Sequence, residues 1–182
     1  MRKFTWIYGL LAGIISSLGF LLMAPAQGET INFDRSESMG YAAMLLGFVG
    51  ILIAITQYRA KHYRNISFAK AFKIGLFISL IASLIYCATW EYYYQNYASD
   101  FAEQYMAYQR ETMSEEGMTE VEINQSLAAQ EDFFEAYKNN LAIRMGVTSL
   151  EILPVGLVIT LLAALLFGVL LRKSKDEESE YI

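Results

Sequence analysis

Cysteine occurs once in this chain, at Cys87, histidine once, at His62, and proline twice, at Pro25 and Pro154. A single cysteine excludes a disulfide within the chain and any cysteine cluster for zinc. His62 has no cysteine or serine in a recognisable nucleophile motif beside it, so neither a catalytic triad nor an HExxH zinc site has material to build from. Walker and dinucleotide fingerprints are missing, and no D-x-[DN]-x-[DN]-G spacing gathers oxygens for calcium. The expectation is no enzyme activity, no cofactor and no metal. Charge is scarce too, at 18% of residues against 55% hydrophobic, and the mean hydropathy of +0.29 is high for a soluble domain of this size.

What the chain has instead is four long apolar runs, Phe4 to Met23, Tyr41 to Gln57, Phe68 to Trp90 and Val147 to Leu171. Each is near the roughly 20 residues that a spanning helix needs. The predicted fold class is all-α, a polytopic membrane protein with four transmembrane helices. The expected helices are about 4–24, 40–58, 67–91 extended to about 113, and 119–143 leading into 147–172. They form one domain over 1–175, with a helical hairpin over 92–146 and a short acidic tail at 174–182.

The segment Tyr58 to Lys73 carries Arg59, Lys61, Arg64, Lys70 and Lys73 and no carboxylate. If the chain crosses four times, ten of its cations fall on the side of this turn and four (Arg35, Arg110, Lys138, Arg144) on the other. The positive-inside rule then puts both termini and the basic turn in the cytoplasm. His62 and its neighbours are expected to face anionic headgroups. Ala24-Pro25-Ala26 after the first run resembles a signal-peptidase site, but the 20-residue run is longer than a signal core, which favours retention as a helix.

Small residues recur at helical spacing in every run: Gly9 and Gly13; Gly47 and Gly50; Gly75, Ser79 and Ser83; Thr160 and Gly168. Such ladders let helix backbones approach closely in lipid. A polar pathway along Ser79, Ser83 and Thr160 is the functional alternative; packing is the simpler reading.

The loop Ala24 to Met39 reads as a solvated connection. The segment from about Glu91 to Gly146 shows helical period twice, through Tyr94, Tyr97, Phe101, Tyr105 and Tyr108 and through Ile123, Leu127, Phe134, Tyr137 and Leu141. Gly117 marks the stop between them and Thr119 to Glu122 fits a capping box. An unbroken third helix from Phe68 to near Met113 would be roughly 68 Å long, projecting an acidic hairpin beyond the membrane. Trp90, Tyr92, Tyr93, Tyr94 and Tyr97 are expected as an interfacial belt. The acidic face makes nucleic acid an unsuitable partner.

One constellation invites chemistry. Glu91 lies 21 residues after Lys70, and Glu151 lies 21 residues before Arg172, which predicts a common depth for the two carboxylates. Facing each other, they would share a proton or bind a cation, with Arg144 and Arg35 as counter-ions. The alternative is that both snorkel into headgroup water. Pro154 is positioned to kink the last helix just past Glu151.

Ile66-Ser67-Phe68-Ala69-Lys70-Ala71-Phe72-Lys73-Ile74-Gly75-Leu76 with the following LFISLIASLIY, the Gly117 to Ile123 turn, and the terminal Leu170-Leu171-Arg172-Lys173 resemble a family of small bacterial membrane proteins known as domain of unknown function 4199. The resemblance covers roughly residues 4 to 173. It implies a Gram-negative source and a membrane location, and supplies no activity or site residues. The expectation is a structural or interaction protein of the bacterial inner membrane. Its partners would be membrane lipid and either itself or another envelope protein. The alternative is a small carrier or cation site built on Glu91 and Glu151.

Overall fold

A computed structural model of the chain describes residues 2–22, 31–61 and 65–171. Six α-helices follow in order: α1 Arg2–Leu22, α2 Phe33–Ala60, α3 Phe68–Tyr97, α4 Phe101–Glu115, α5 Glu120–Asn139 and α6 Leu141–Leu165. The last continues into a π-helical turn, Leu166–Leu170. Ala24-Pro25-Ala26, His62, Arg64, Arg172 and the acidic tail lie outside the described residues. Among the described residues, four segments are long and apolar enough to cross a membrane: Lys3–Phe20, Phe33–Ala60, Phe68–Tyr97 and Leu141–Leu170.

These helices exist because stretches of 18 or more residues are predominantly apolar, and their mutual arrangement follows from where side chains are small. α1 packs against α2 and α3, and α6 packs against α3 and α2, so the cyclic order is α1, α2, α6, α3. A Cβ on Gly9 would stand 2.7 Å from Ile81 Cβ and one on Gly13 2.7 Å from Ile85 Cβ, which sets α1 parallel to α3. On the other flank Gly47 lies against the Ala12 carbonyl, 2.7 Å from a would-be Cβ, and Gly50 against Tyr8. Gly75 abuts Thr160, and a Cβ on Gly168 would stand 2.5 Å from Phe68 Cα. Ser79 Oγ and Thr160 Oγ1 are 3.3 Å apart and buried. The ladder residues thus meet helices of the same chain, and the hydroxyls sit in the helix–helix seam. Met44, Phe48, Ile51, Ile55, Ile74, Ile78 and Ile152 fill the centre.

Cations at the α2–α3 end cover aromatic rings: Arg59 over Phe167 at 5.2 Å, Lys61 over Phe4 at 4.7 Å and Lys70 over Tyr58 at 5.4 Å. Arg59 also donates to the Leu171 carbonyl at 2.9 Å, satisfying an otherwise orphaned helix-end acceptor.

At the opposite end the structure departs from a straight projecting hairpin. α3 is not continuous to Met113: it stops at Tyr97, and Ala98 to Asp100 turn the chain into α4. Phe101 then meets Trp90, ring centroids 5.1 Å apart. On a continuous helix, eleven residues would separate them by about 16 Å. α4 therefore folds back across the end of the bundle. It meets the start of α2, which begins at Phe33 rather than Tyr41: Phe33 touches Phe101, Tyr105 and Tyr108, and the Tyr108 hydroxyl donates to Asp34 at 2.6 Å. Of the expected connection, Phe33 to Met39 are therefore helix, with most of their side chains exposed. Asn140 breaks α5 from α6 and caps α6 by accepting from Ala142 N and Ile143 N. α4 and α5 pair antiparallel around Gly117 at φ 82°, with the capping box of Thr119 and Glu122 formed and Arg110 bonded to Glu120 and Asn124.

Candidate functional site

Where α3, α5 and α6 converge, Arg144 is 7% exposed and donates four hydrogen bonds. Its Nε donates to Glu91 Oε2 at 2.8 Å and its Nη2 to Glu91 Oε1 at 2.7 Å, the two-pronged geometry a guanidinium makes with a carboxylate. Its Nη1 donates to the carbonyls of Tyr137 and Lys138, at 2.9 and 2.8 Å, the last carbonyls of α5. The ring of Tyr94 lies under the guanidinium at 4.7 Å. One side chain thus ties the outer turn of α3, the end of α5 and the first turn of α6 together. Beside it Trp90 Nε1 donates to the Tyr137 hydroxyl at 2.8 Å. Burial pushes the Tyr137 phenol up to about 12. At the rim Lys138 pairs with Glu103, and that hydrogen bond holds the Glu103 carboxyl below the usual range and the Lys138 ammonium above it.

Glu151 has a different environment. The Tyr86 hydroxyl donates to its Oε1 at 3.1 Å, and the carboxylate opens into a cavity of about 550 Å³ between the hairpin and the bundle. The two acids are not level. α3 and α6 pair Gly75 with Thr160, Tyr86 with Glu151 and Glu91 with Arg144, so Glu151 lies about one and a half turns deeper than Glu91, roughly 8 to 9 Å along the axis. The expected common depth fails because its reference points are unequal: Phe68, two residues before Lys70, stands beside Gly168, four residues before Arg172 in sequence. Of the two expected counter-ions, Arg144 pairs with Glu91. Arg35 is exposed and makes no ion pair among the described residues; its backbone N–H bonds the Asn32 cap. α6 runs through Pro154 as one helix.

The aromatic belt is also redistributed. Tyr92 and Tyr97 are exposed, whereas Tyr93 is buried against Phe20 of α1 and Tyr94 against Tyr137 of the hairpin. Tyr86, Trp90 and Tyr137, polar-tipped rings with defined partners, are the site residues that sequence patterning missed. The available signal was the spacing Tyr86, Trp90, Tyr93, Tyr94, which puts one α3 face against Phe20 of α1 and Tyr137 of the hairpin.

The family model described as Protein of unknown function (DUF4199) matches residues 7–168. The chain belongs to that family. No curated protein and no solved structure matches it.

Proposed function

We propose that this member of the DUF4199 family is a non-enzymatic, multi-pass protein of the bacterial inner membrane that acts as a structural or interaction component of the envelope. Both termini and the basic turn lie in the cytoplasm, and the α4–α5 hairpin caps the extracytoplasmic end. Its contacts are membrane lipid and either a second copy or another envelope protein, not nucleic acid.

The observation that carries this reading is the outward placement of large apolar side chains on all four long helices. Leu10 and Ile14 of α1, Leu46 of α2, Leu84 of α3 and Leu150 and Leu162 of α6 are exposed, Leu84 at 67% and Leu150 at 75%. A continuous apolar surface of this kind is stable against acyl chains and not against water. The clustering of Lys3, Arg59, Lys61, Lys70 and Lys73 toward one end supports the orientation. The exposed carboxylates of the hairpin, Glu111, Glu115, Glu131 and Glu135 among them, leave that surface free for a partner. A carrier built on Glu91 and Glu151 is less well supported, because Arg144 already neutralises Glu91.

Alkaline phosphatase and green fluorescent protein fusions at Gly117 and at Lys61 test the orientation. Phosphatase activity at Gly117 and fluorescence at Lys61 are expected; the reverse pattern overturns it. Proton or cation flux in liposomes that disappears in Glu91→Gln and Glu151→Gln would replace the structural role with transport.

A further inference from the structure

The cavity beneath the hairpin has a chemical character that packing alone does not account for. α4 and α5 roof it, and below it α2 and α6 close on each other where Phe48 meets Gly156. Its walls are chiefly aromatic, with Tyr41, Trp90, Tyr105 and Phe134 on four different helices. Two carboxylates line it, Glu37 and Glu151, and among the described residues that line it there is no lysine or arginine. The Glu37 side chain makes no hydrogen bond or ion pair among the described residues, and the Glu151 carboxylate is held among them by the Tyr86 hydroxyl alone. A third polar residue belongs to the same wall: Gln109 lines the cavity, and its side-chain oxygen is buried without a hydrogen-bond partner. Buried acceptors are ordinarily paired, so an orphan acceptor on a cavity wall marks a place for a donor.

We propose that this cavity is a binding site for an amphiphilic organic ammonium ion, a protonated amine on an apolar or aromatic body. Each part of the ligand has a counterpart. The charge meets Glu151 and Glu37, the N–H groups meet the carboxylates and the Gln109 oxygen, and the aromatic faces attract the cation while burying the apolar body. The volume of about 550 Å³ is within the usual range for a small-molecule site. Anions are excluded by the two carboxylates, and phospholipid headgroups are disfavoured by their phosphate. The site does not use Glu91, which Arg144 occupies, and its chemistry is the same on either side of the membrane.

Trp90 lines the cavity and supplies the readout. In a Trp6→Phe background it is the remaining tryptophan, and its fluorescence in lipid nanodiscs reports on occupancy. Titration with 4-phenylbutylammonium is expected to saturate. The isosteric neutral 4-phenylbutanol should bind at least about tenfold more weakly, and 4-phenylbutyrate not at all. Glu151→Gln and Glu37→Gln should each weaken the amine about tenfold, while Glu135→Gln, on the outer hairpin face, should not. Gly40 lines the cavity, and a Cβ there would meet nothing within 4 Å; Gly40→Leu should therefore fill the space and abolish the signal without unfolding the chain. Non-saturating titration, equal binding of amine and alcohol, or an amine affinity unchanged in Glu37→Gln overturns the assignment. The Glu37 variant decides even if Glu151→Gln fails to fold, because Glu37 has no described partner to lose.

Discussion

Replacing Arg144 by methionine isolates the contribution of the junction between bundle and hairpin. The side chains of Arg144 and Glu91 are 8% and 13% exposed. Removing the cation leaves a nearly buried carboxylate without its counter-charge, for which the expected cost is about 3 to 5 kcal/mol. The carbonyls of Tyr137 and Lys138 lose their donor as well, so the α5–α6 junction should loosen with the ion pair. Arg144→Lys keeps the charge but not the planar fork, and one ammonium cannot serve both carboxylate oxygens and both carbonyls in the same geometry; its stability should fall between the two. The decisive variant is the double replacement Glu91→Met with Arg144→Met. It removes the unpaired charge along with its partner, so it should be more stable than Arg144→Met alone, with a coupling of about 1 to 3 kcal/mol. Reversible unfolding in mild detergent, followed by far-ultraviolet circular dichroism, supplies all four corners of the cycle. A cost for Arg144→Met below about 1 kcal/mol, or additivity within about 0.5 kcal/mol, would show that the pair is effectively solvated and refute the reasoning.

Tyr137 makes the fold sensitive to alkali: its phenol is pushed up to about 12 from an unfolded value near 10, so the stabilisation is complete below pH about 10 and lost as pH rises toward about 12, at most about 2 to 3 kcal/mol. Thermal melts should give Tyr137→Phe a lower Tm at pH 8, through loss of the Trp90 bond, but a flatter decline above pH 10; parallel profiles would contradict this. Gly75→Leu should cost about 2 kcal/mol or more in the same unfolding assay, because a Cβ there stands 2.6 Å from Thr160 and α3 and α6 must separate. Gly146→Ala, where a Cβ meets nothing within 4 Å, should instead stabilise α6 by up to about 1 kcal/mol. Thr119→Ala removes the capping box and should cost about 1 kcal/mol, read as faster amide exchange confined to the first turn of α5.

The features legible in the sequence are those whose causes are local. Four apolar runs yield four long helices because each carries its own signal in consecutive residues, and Gly117 and Thr119 to Glu122 form their turn and cap from contacts within a few positions. The break at Ala98 to Asp100 has a weaker one, Asp100 as N-cap of α4 with Glu103 three residues on, and the Asp100 side chain makes no cap hydrogen bond. Neither glycine nor proline occurs there, and the spacing Tyr94, Tyr97, Phe101, Tyr105 keeps helical period straight across it. The contacts that accompany the bend are distant in sequence, Phe101 against Trp90 and Phe33 against Tyr105. The early start of α2 is of the same kind: Asp34 and Phe33 are anchored by rings of α4, seventy residues on, as well as by the Asn32 cap.

The register between α3 and α6 explains why two acids with equal counts along the sequence have unequal chemistry. Depth measured from the flanking cations assumes that Lys70 and Arg172 mark one plane, but the helices are keyed by close approach, Gly75 to Thr160 and Gly168 to Phe68. Bringing Glu151 level with Glu91 would require sliding α6 by roughly 9 Å, which would pull Thr160 away from both Gly75 and Ser79 and undo the tightest contacts of that pair. Packing therefore fixes the offset, and the offset assigns the partners. At the depth of Glu91 the first turn of α6 presents Arg144, and the charge is neutralised. Deeper in, α3 presents a tyrosine hydroxyl to Glu151 and α2 stands away across a cavity. That leaves Glu151 as the carboxylate available to a ligand: Arg144, seven residues earlier on the same helix, is held by Glu91, which this register places beside it.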